Sequence, residues 1–228
     1  MNPTDRPFRE RIGTDVALQE PAPRLILVGA SEHAAALCRI ATAAGYDVTV
    51  CDVWRALLTR DRFPEAADLH HGLPHETLAT LDPRDVDART AICVLSHDER
   101  VDVPALRAAL ALPVGFIGAI GARSTVARRS QLLREAGATE AEIASIHSPL
   151  GLDLGGTSPE DTALSALAEI IATLHGGSGR PLRERHGSLH RSRLSDDPAA
   201  PSVAHSTQCD TASRAVLDNI RQGEGAGA

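Results

Sequence analysis

The chain has 228 residues, 43% of them hydrophobic but only 2% aromatic, with a formal net charge of −7 and 23 basic residues that are all arginine. That length holds one medium domain with tails or two small ones, with a core built from Ala, Leu, Ile and Val. The acidic balance argues against nucleic acid as a partner, no apolar run reaches bilayer length, and the absence of lysine excludes Schiff-base enzymes and P-loop nucleotide hydrolases.

The four cysteines, Cys38, Cys51, Cys93 and Cys209, form no Cys-x-x-Cys pair and no metal-ligand spacing. Those within apolar segments read as buried small hydrophobes in a reducing compartment. The first twenty residues are polar and lack the apolar stretch of a secretory signal, so the sequence reads as cytoplasmic.

In chain order, residues 1–23 mix Pro, Arg and acids without a period and read as an N-terminal extension. Residues 24–29 are a continuous apolar run ending in Gly29, a strand buried on both faces. An Ala- and Leu-rich helix follows over 31–45, closed by Gly45, and then a strand over 46–52. A short edge strand is predicted at 68–72, a short helix at 75–81, and a buried strand at 90–96 with a helix running to residue 110. Next come a strand at 114–118 and a helix at 124–136. A capping box from Thr139 to Glu142 opens another helix, and Ser158-Pro159-Glu160-Asp161 opens a last one that ends near His175. From residue 176 the composition turns to Gly, Ser, Arg and His, a flexible tail with one short amphipathic helix expected at 212–221. The alternation predicts an α/β fold, a Rossmann-like doubly wound parallel sheet, as a single domain over 24–175 with flexible termini.

In such sheets a ligand lies beyond the carboxyl ends of the strands, with phosphate on a glycine turn at a helix start. Here the turn reads Gly29-Ala30-Ser31-Glu32, and Asp52 closes the second strand 23 residues after Gly29, at the interval expected for a ribose-binding acid. The other reading of Asp52 is a loop cap. Two further strand ends supply His97 with Asp98, and Gly118, Gly121 and Arg123, where glycines free backbone amides beside an arginine at a helix start. A third loop carries His147 and Asp153. His97 and His147 have the chemistry of acid–base groups or metal ligands. No nucleophile–base pair or ligand spacing accompanies them, so no catalytic or metal site is assigned. Arg128 and Arg129 read as a solvated helix face, and Arg123 as a ligand contact.

At these residues the sequence resembles the XdhC/CoxI family of xanthine dehydrogenase accessory proteins. The stretches that carry the resemblance are 45–52, 62–66, 95–98 with Asp102, 104–106, 116–123 with 127–129, and 146–153, in order along 24–175. The resemblance implies the family's C-terminal Rossmann-like domain and a chaperone-like role more than an enzyme. In that role it binds molybdenum cofactor, as molybdopterin or its cytosine dinucleotide, for insertion into an apo molybdenum hydroxylase of the xanthine dehydrogenase or CO dehydrogenase type. It also implies a sulfurating cysteine desulfurase as a further partner, and a homodimer is left open. Two departures stand out. The family turn has Gly-Ala-Gly-His where this chain has Ser31 and Glu32 in its last two places, and the family's N-terminal domain is not seen, so the chain reads as the C-terminal domain alone. The alternatives are a NAD-dependent oxidoreductase of Rossmann type, on fold analogy, and a ligand-free regulatory domain.

Overall fold

A computed structural model describes residues 21–82 and 86–184. Most of the expected N-terminal extension, the chain from residue 185 and the helix expected at 212–221 lie outside the described residues.

The strands β1 (Arg24–Val28), β2 (Asp47–Asp52), β3 (Asp68–His71), β4 (Ala91–Val94) and β5 (Phe116–Ala119) form one sheet in the order β3-β2-β1-β4-β5. Every pairing is parallel. The helices are α1 (Glu32–Ala43), α2 (Pro74–Ala79), α3 (Glu99–Leu110), α4 (Arg123–Glu135), α5 (Glu140–Ala144) and α6 (Pro159–Leu174).

Because side chains alternate along a strand, β1 feeds two cores. Leu25 and Leu27 pack on one face with Leu37 and Ala41 of α1 and Ala166 and Ile170 of α6. Ile26 and Val28 pack on the other with Leu78 of α2, Leu106 and Ala109 of α3, and Leu133 of α4. Helices therefore cover both faces, as the alternating pattern predicts. Alanines at 34, 35, 36 and 41 give α1 a slim buried stripe, which is how a core so poor in rings closes. Side-chain caps set several starts: Ser31 on α1, Asp98 on α3, and full capping boxes at Thr139 and Ser158.

Two strands differ most in extent from expectation: β4, expected over 90–96, is confined to Ala91–Val94, and β5 is shifted. The sequence places β5 at 114–118, but it runs Phe116–Ala119, because its ladder starts only where β4 starts, with Ala91 opposite Phe116. Gly118 is thereby inside the strand, opposite Cys93, rather than in the turn beyond it. An added Cβ there would lie 2.6 Å from Leu150 Cδ1 and 2.8 Å from Phe116 Cε1, so the glycine serves packing. The outer edge of β5 is covered by a bridge to His147, whose N–H donates to the Ile117 carbonyl at 2.9 Å.

The described residues from 21 to 180 belong to one unit. Of the second, residues 181–184 are described and carry a 3-10 turn, Leu182–Glu184. No helix among the described residues is long and apolar enough to cross a membrane.

Gly29 is where the sheet and the crevice meet. Its φ is +103°, and a Cβ would sit 2.7 Å from Ser96 Cα, so both conformation and space demand glycine. Gly29→Ala should destabilise the fold by at least about 1–3 kcal/mol, the scale of backbone strain alone. Chemical denaturation checks this, and a loss below about 0.5 kcal/mol would contradict the close approach, since that is the range of neutral surface changes.

Candidate functional site

After β1 the chain rises to α1 on one face, and after β4 it rises to α3 on the other. The strand ends part there, which is where a doubly wound sheet opens a crevice. A cleft of about 200 Å³ lies at this point, lined by Gly29, Ser31, Asp52, Trp54, Ser96 and Asp98 among others.

On the β1 side, Ser31 is the N-cap of α1, and its Oγ accepts from the Ala34 N–H at 3.2 Å. The amides of Ser31, Glu32 and His33 have no acceptor among the described residues, which leaves three donors at the positive end of the helix. Asp52 is 6% exposed. Its Oδ2 accepts from the Ala30 N–H at 2.6 Å and its Oδ1 from the Trp54 N–H at 2.6 Å. The cap reading of Asp52 is thus present in the geometry, and the carboxylate keeps lone pairs for a hydroxyl besides. Glu32, the acid in the turn, is turned onto Arg62 at 2.8 Å, and Arg62 also donates to the Ala30 carbonyl at 3.3 Å. The negative charge at the mouth is therefore partnered.

On the β4 side, Asp98 caps α3 by accepting from the Arg100 N–H at 3.0 Å. The Arg100 guanidinium, 2.8 Å away, holds that carboxyl below the usual range. His97 is exposed with a positive φ of 63°, and its ring lies edge-on to His33 with centroids 6.3 Å apart. Ser96 Oγ donates to Asp102, which is 2% exposed and pairs at 3.0 Å with Arg129, itself 3% exposed. Arg129 also donates to the Ile120 carbonyl at 2.8 Å and Ser148 Oγ at 3.1 Å.

This corrects the expectation that Arg129 lies on a solvated face. It precedes the buried Leu133 by four residues, so both fall on the inward stripe of α4. Arg128 does lie on the outside, paired with Glu99 at 3.5 Å. Arg123 is the exposed first residue of α4, whose N-cap Ala122 offers no side-chain bond. Among the described residues it has no hydrogen bond or ion pair. Gly121, with φ +147°, makes the turn before it.

His147 is away from the cleft lining. Its ring stacks on Phe116 with centroids 4.4 Å apart, and Nδ1 lies 2.9 Å from Glu169 Oε1. Glu169 Oε2 accepts from the Gly151 N–H at 2.6 Å, so this carboxylate of α6 orders the loop that follows His147. Sequence reasoning missed Glu169, which sits in an apolar helix without a motif. It also missed Trp54, although a lone tryptophan two residues beyond the strand-end acid was a usable signal. Burial pushes the thiols up, Cys38 to about 11 and Cys51 to about 12, with Cys93 higher still. No group of three or more metal-ligating side chains gathers among the described residues.

The topology and the converging helix starts define a Rossmann-type α/β domain with its crevice at the switch between β1 and β4. Residues 25–170 match the XdhC Rossmann domain, and the chain belongs to that family. It is similar to the uncharacterized protein YqeB of Escherichia coli K12, at 29% identity over 74% of this chain and 31% of that one. It is 32% identical to a probable xanthine dehydrogenase subunit of Bacillus subtilis, over 68% of this chain and 44% of that one. It is 30% identical to the molybdenum cofactor insertion chaperone PaoD of Escherichia coli K12, over 67% of this chain and 40% of that one. The chain thus spans less than half the length of these curated relatives. A crystal structure described as a xanthine dehydrogenase from Bacillus halodurans shares the fold, with a TM-score of 0.59 at 22% identity over 69% of this chain and 46% of that one.

Two outcomes follow from the buried groups. Asp102→Asn or Arg129→Met should each cost about 3–5 kcal/mol of stability, because each strands a buried charge or its partner. The double variant should cost less than the two losses added, which a double-mutant cycle by denaturation reads. In a Cys209→Ser chain, the remaining thiols should resist alkylation near pH 8 until the protein is unfolded. Fast labelling of the native protein would contradict their burial.

Proposed function

We propose that this chain is the Rossmann part of an accessory protein for a molybdenum hydroxylase, and that its crevice holds a phosphate-bearing ligand. The ligand class is molybdenum cofactor, as molybdopterin or its cytosine dinucleotide, carried as cargo to an apo enzyme. Support for the role comes from the family and from a relative named as a cofactor insertion chaperone. Support for the site comes above all from one observation: three amides at the start of α1 that no group among the described residues satisfies, beside a cleft that Ser31 lines. A phosphate oxygen is the natural acceptor for such donors.

In this reading the backbone of Gly29, Ala30 and Ser31 lines the phosphate, Asp52 faces the ribose, and His97 and Asp98 border the opposite wall. Gly121 and Arg123 present a second set of amides and a free guanidinium on the same edge of the sheet. Gly118, inside β5, acts by packing. Partners on this reading are the apo hydroxylase and a sulfurating cysteine desulfurase.

Arg123→Ala should weaken binding of molybdopterin cytosine dinucleotide by about 1.5–3 kcal/mol, the scale of a charged hydrogen bond. The unfolding midpoint of the free protein should stay unchanged, because Arg123 supports nothing internal. Calorimetric titration with the cofactor and with NAD, on wild type and variant, reads this. Tight NAD binding without cofactor binding would favour the oxidoreductase alternative, and no binding of either would overturn the reading.

A further inference from the structure

We propose that Trp54 is a stacking platform for the planar base of a nucleoside 5′-phosphate seated in the crevice, an inference that rests on the phosphate-holding function above. The chain has one tryptophan and very few other rings. Burial of an indole is among the largest apolar gains open to a core. Yet Trp54 is 65% exposed, and Leu57, beside it on the cleft wall, is 38% exposed.

The ring is not on a loose loop. The Trp54 N–H donates to Asp52 Oδ1 at 2.6 Å, and its carbonyl accepts from the Leu57 N–H at 3.0 Å. The backbone that carries the indole is therefore tied at both ends to a turn, and the turn is tied to a buried carboxylate. Asp52 joins the turn that leads into α1, through the Ala30 N–H, to the turn that carries Trp54, and this sequence of turn, acid and ring matches phosphate, sugar and base along a nucleotide. The cleft volume of about 200 Å³ is smaller than the roughly 300–1,000 Å³ of sites that engulf a whole small ligand. One end of a nucleotide must then project over the open lip, where an aromatic face with an apolar neighbour is what a base can use. Stacking of this kind is tolerant of base identity, because every base offers a π-face. The platform thus separates nucleotides from plain sugar phosphates without choosing among bases.

The test uses the full chain with CMP, AMP and ribose 5-phosphate as probes. The single indole makes wild-type emission a direct reporter, and calorimetry serves the variants. Trp54→Ala should weaken CMP and AMP roughly tenfold, within the range measured for base–aromatic stacking, and leave ribose 5-phosphate unchanged. Trp54→Phe should retain most of the affinity. CMP and AMP should quench the emission more than ribose 5-phosphate does. If Trp54→Ala, folded as judged by its unfolding midpoint, binds CMP and AMP as wild type does, the platform is overturned while the phosphate site stands. If Trp54→Ala weakens all three probes alike, the residue shapes the cleft and the stacking role is likewise overturned. If none of the probes binds wild type, the platform falls together with the function it rests on. Competition of bound CMP by molybdopterin cytosine dinucleotide and by NAD then tells which source supplies the nucleotide.

Discussion

The carboxylate of Asp52 sets the geometry on which the rest of the crevice depends. It is buried at the end of β2, and it binds one amide of the glycine turn after β1 and one amide of the turn that carries Trp54. A buried acid without such partners would be costly, whereas charge-assisted bonds to backbone amides offset its desolvation. Both turns are consequently fixed before any ligand arrives. Gly29 completes the constraint by letting the β1 turn lie against the backbone of Ser96. The amides left over among the described residues are those of Ser31, Glu32 and His33, flanked by Ala30 and Ala34, whose N–H groups the protein satisfies itself.

A second buried acid couples the other strand ends. Asp102 joins Ser96, at the cleft, to Arg129, and Arg129 in turn holds the Ile120 carbonyl and Ser148. The loop after β4, the loop after β5 and the segment beside β5 are thereby linked through one guanidinium. Such a pair adds less to net stability than its short distance suggests, since desolvation consumes much of the attraction. Its effect is to keep three loops in one arrangement. A crevice assembled in this way needs little reorganisation to take a ligand, which suits the carrier role proposed above.

Much of the fold was legible because β1 and β4 are continuous apolar runs and because caps at Thr139 and Ser158 announce helix starts. The limits of β5 were not, since they depend on where its neighbour begins, and that is a tertiary fact. Asp52 was found by its spacing from Gly29, but its two amide partners are local geometry that spacing does not encode. Arg129 was misread for a simple reason: in α4 an arginine occupies a stripe position that hydrophobic periodicity reserves for apolar residues, and only the distant Asp102 makes its burial tolerable. The sequence put Arg123 at a helix start, and there it stands, exposed and without an internal partner among the described residues.

On the proposed reading, the first turn of α1 is a phosphate site shaped in advance by Asp52. Backbone amide chemical shifts of isotopically labelled protein, followed while CMP is titrated in, test it most directly. Large, saturable shifts are expected at Ser31, Glu32 and His33, with smaller ones at Trp54 and Ser96 and little change in the sheet. Saturable shifts that leave those three amides unmoved, and gather instead at the loop around Gly155 and Thr162, would contradict it.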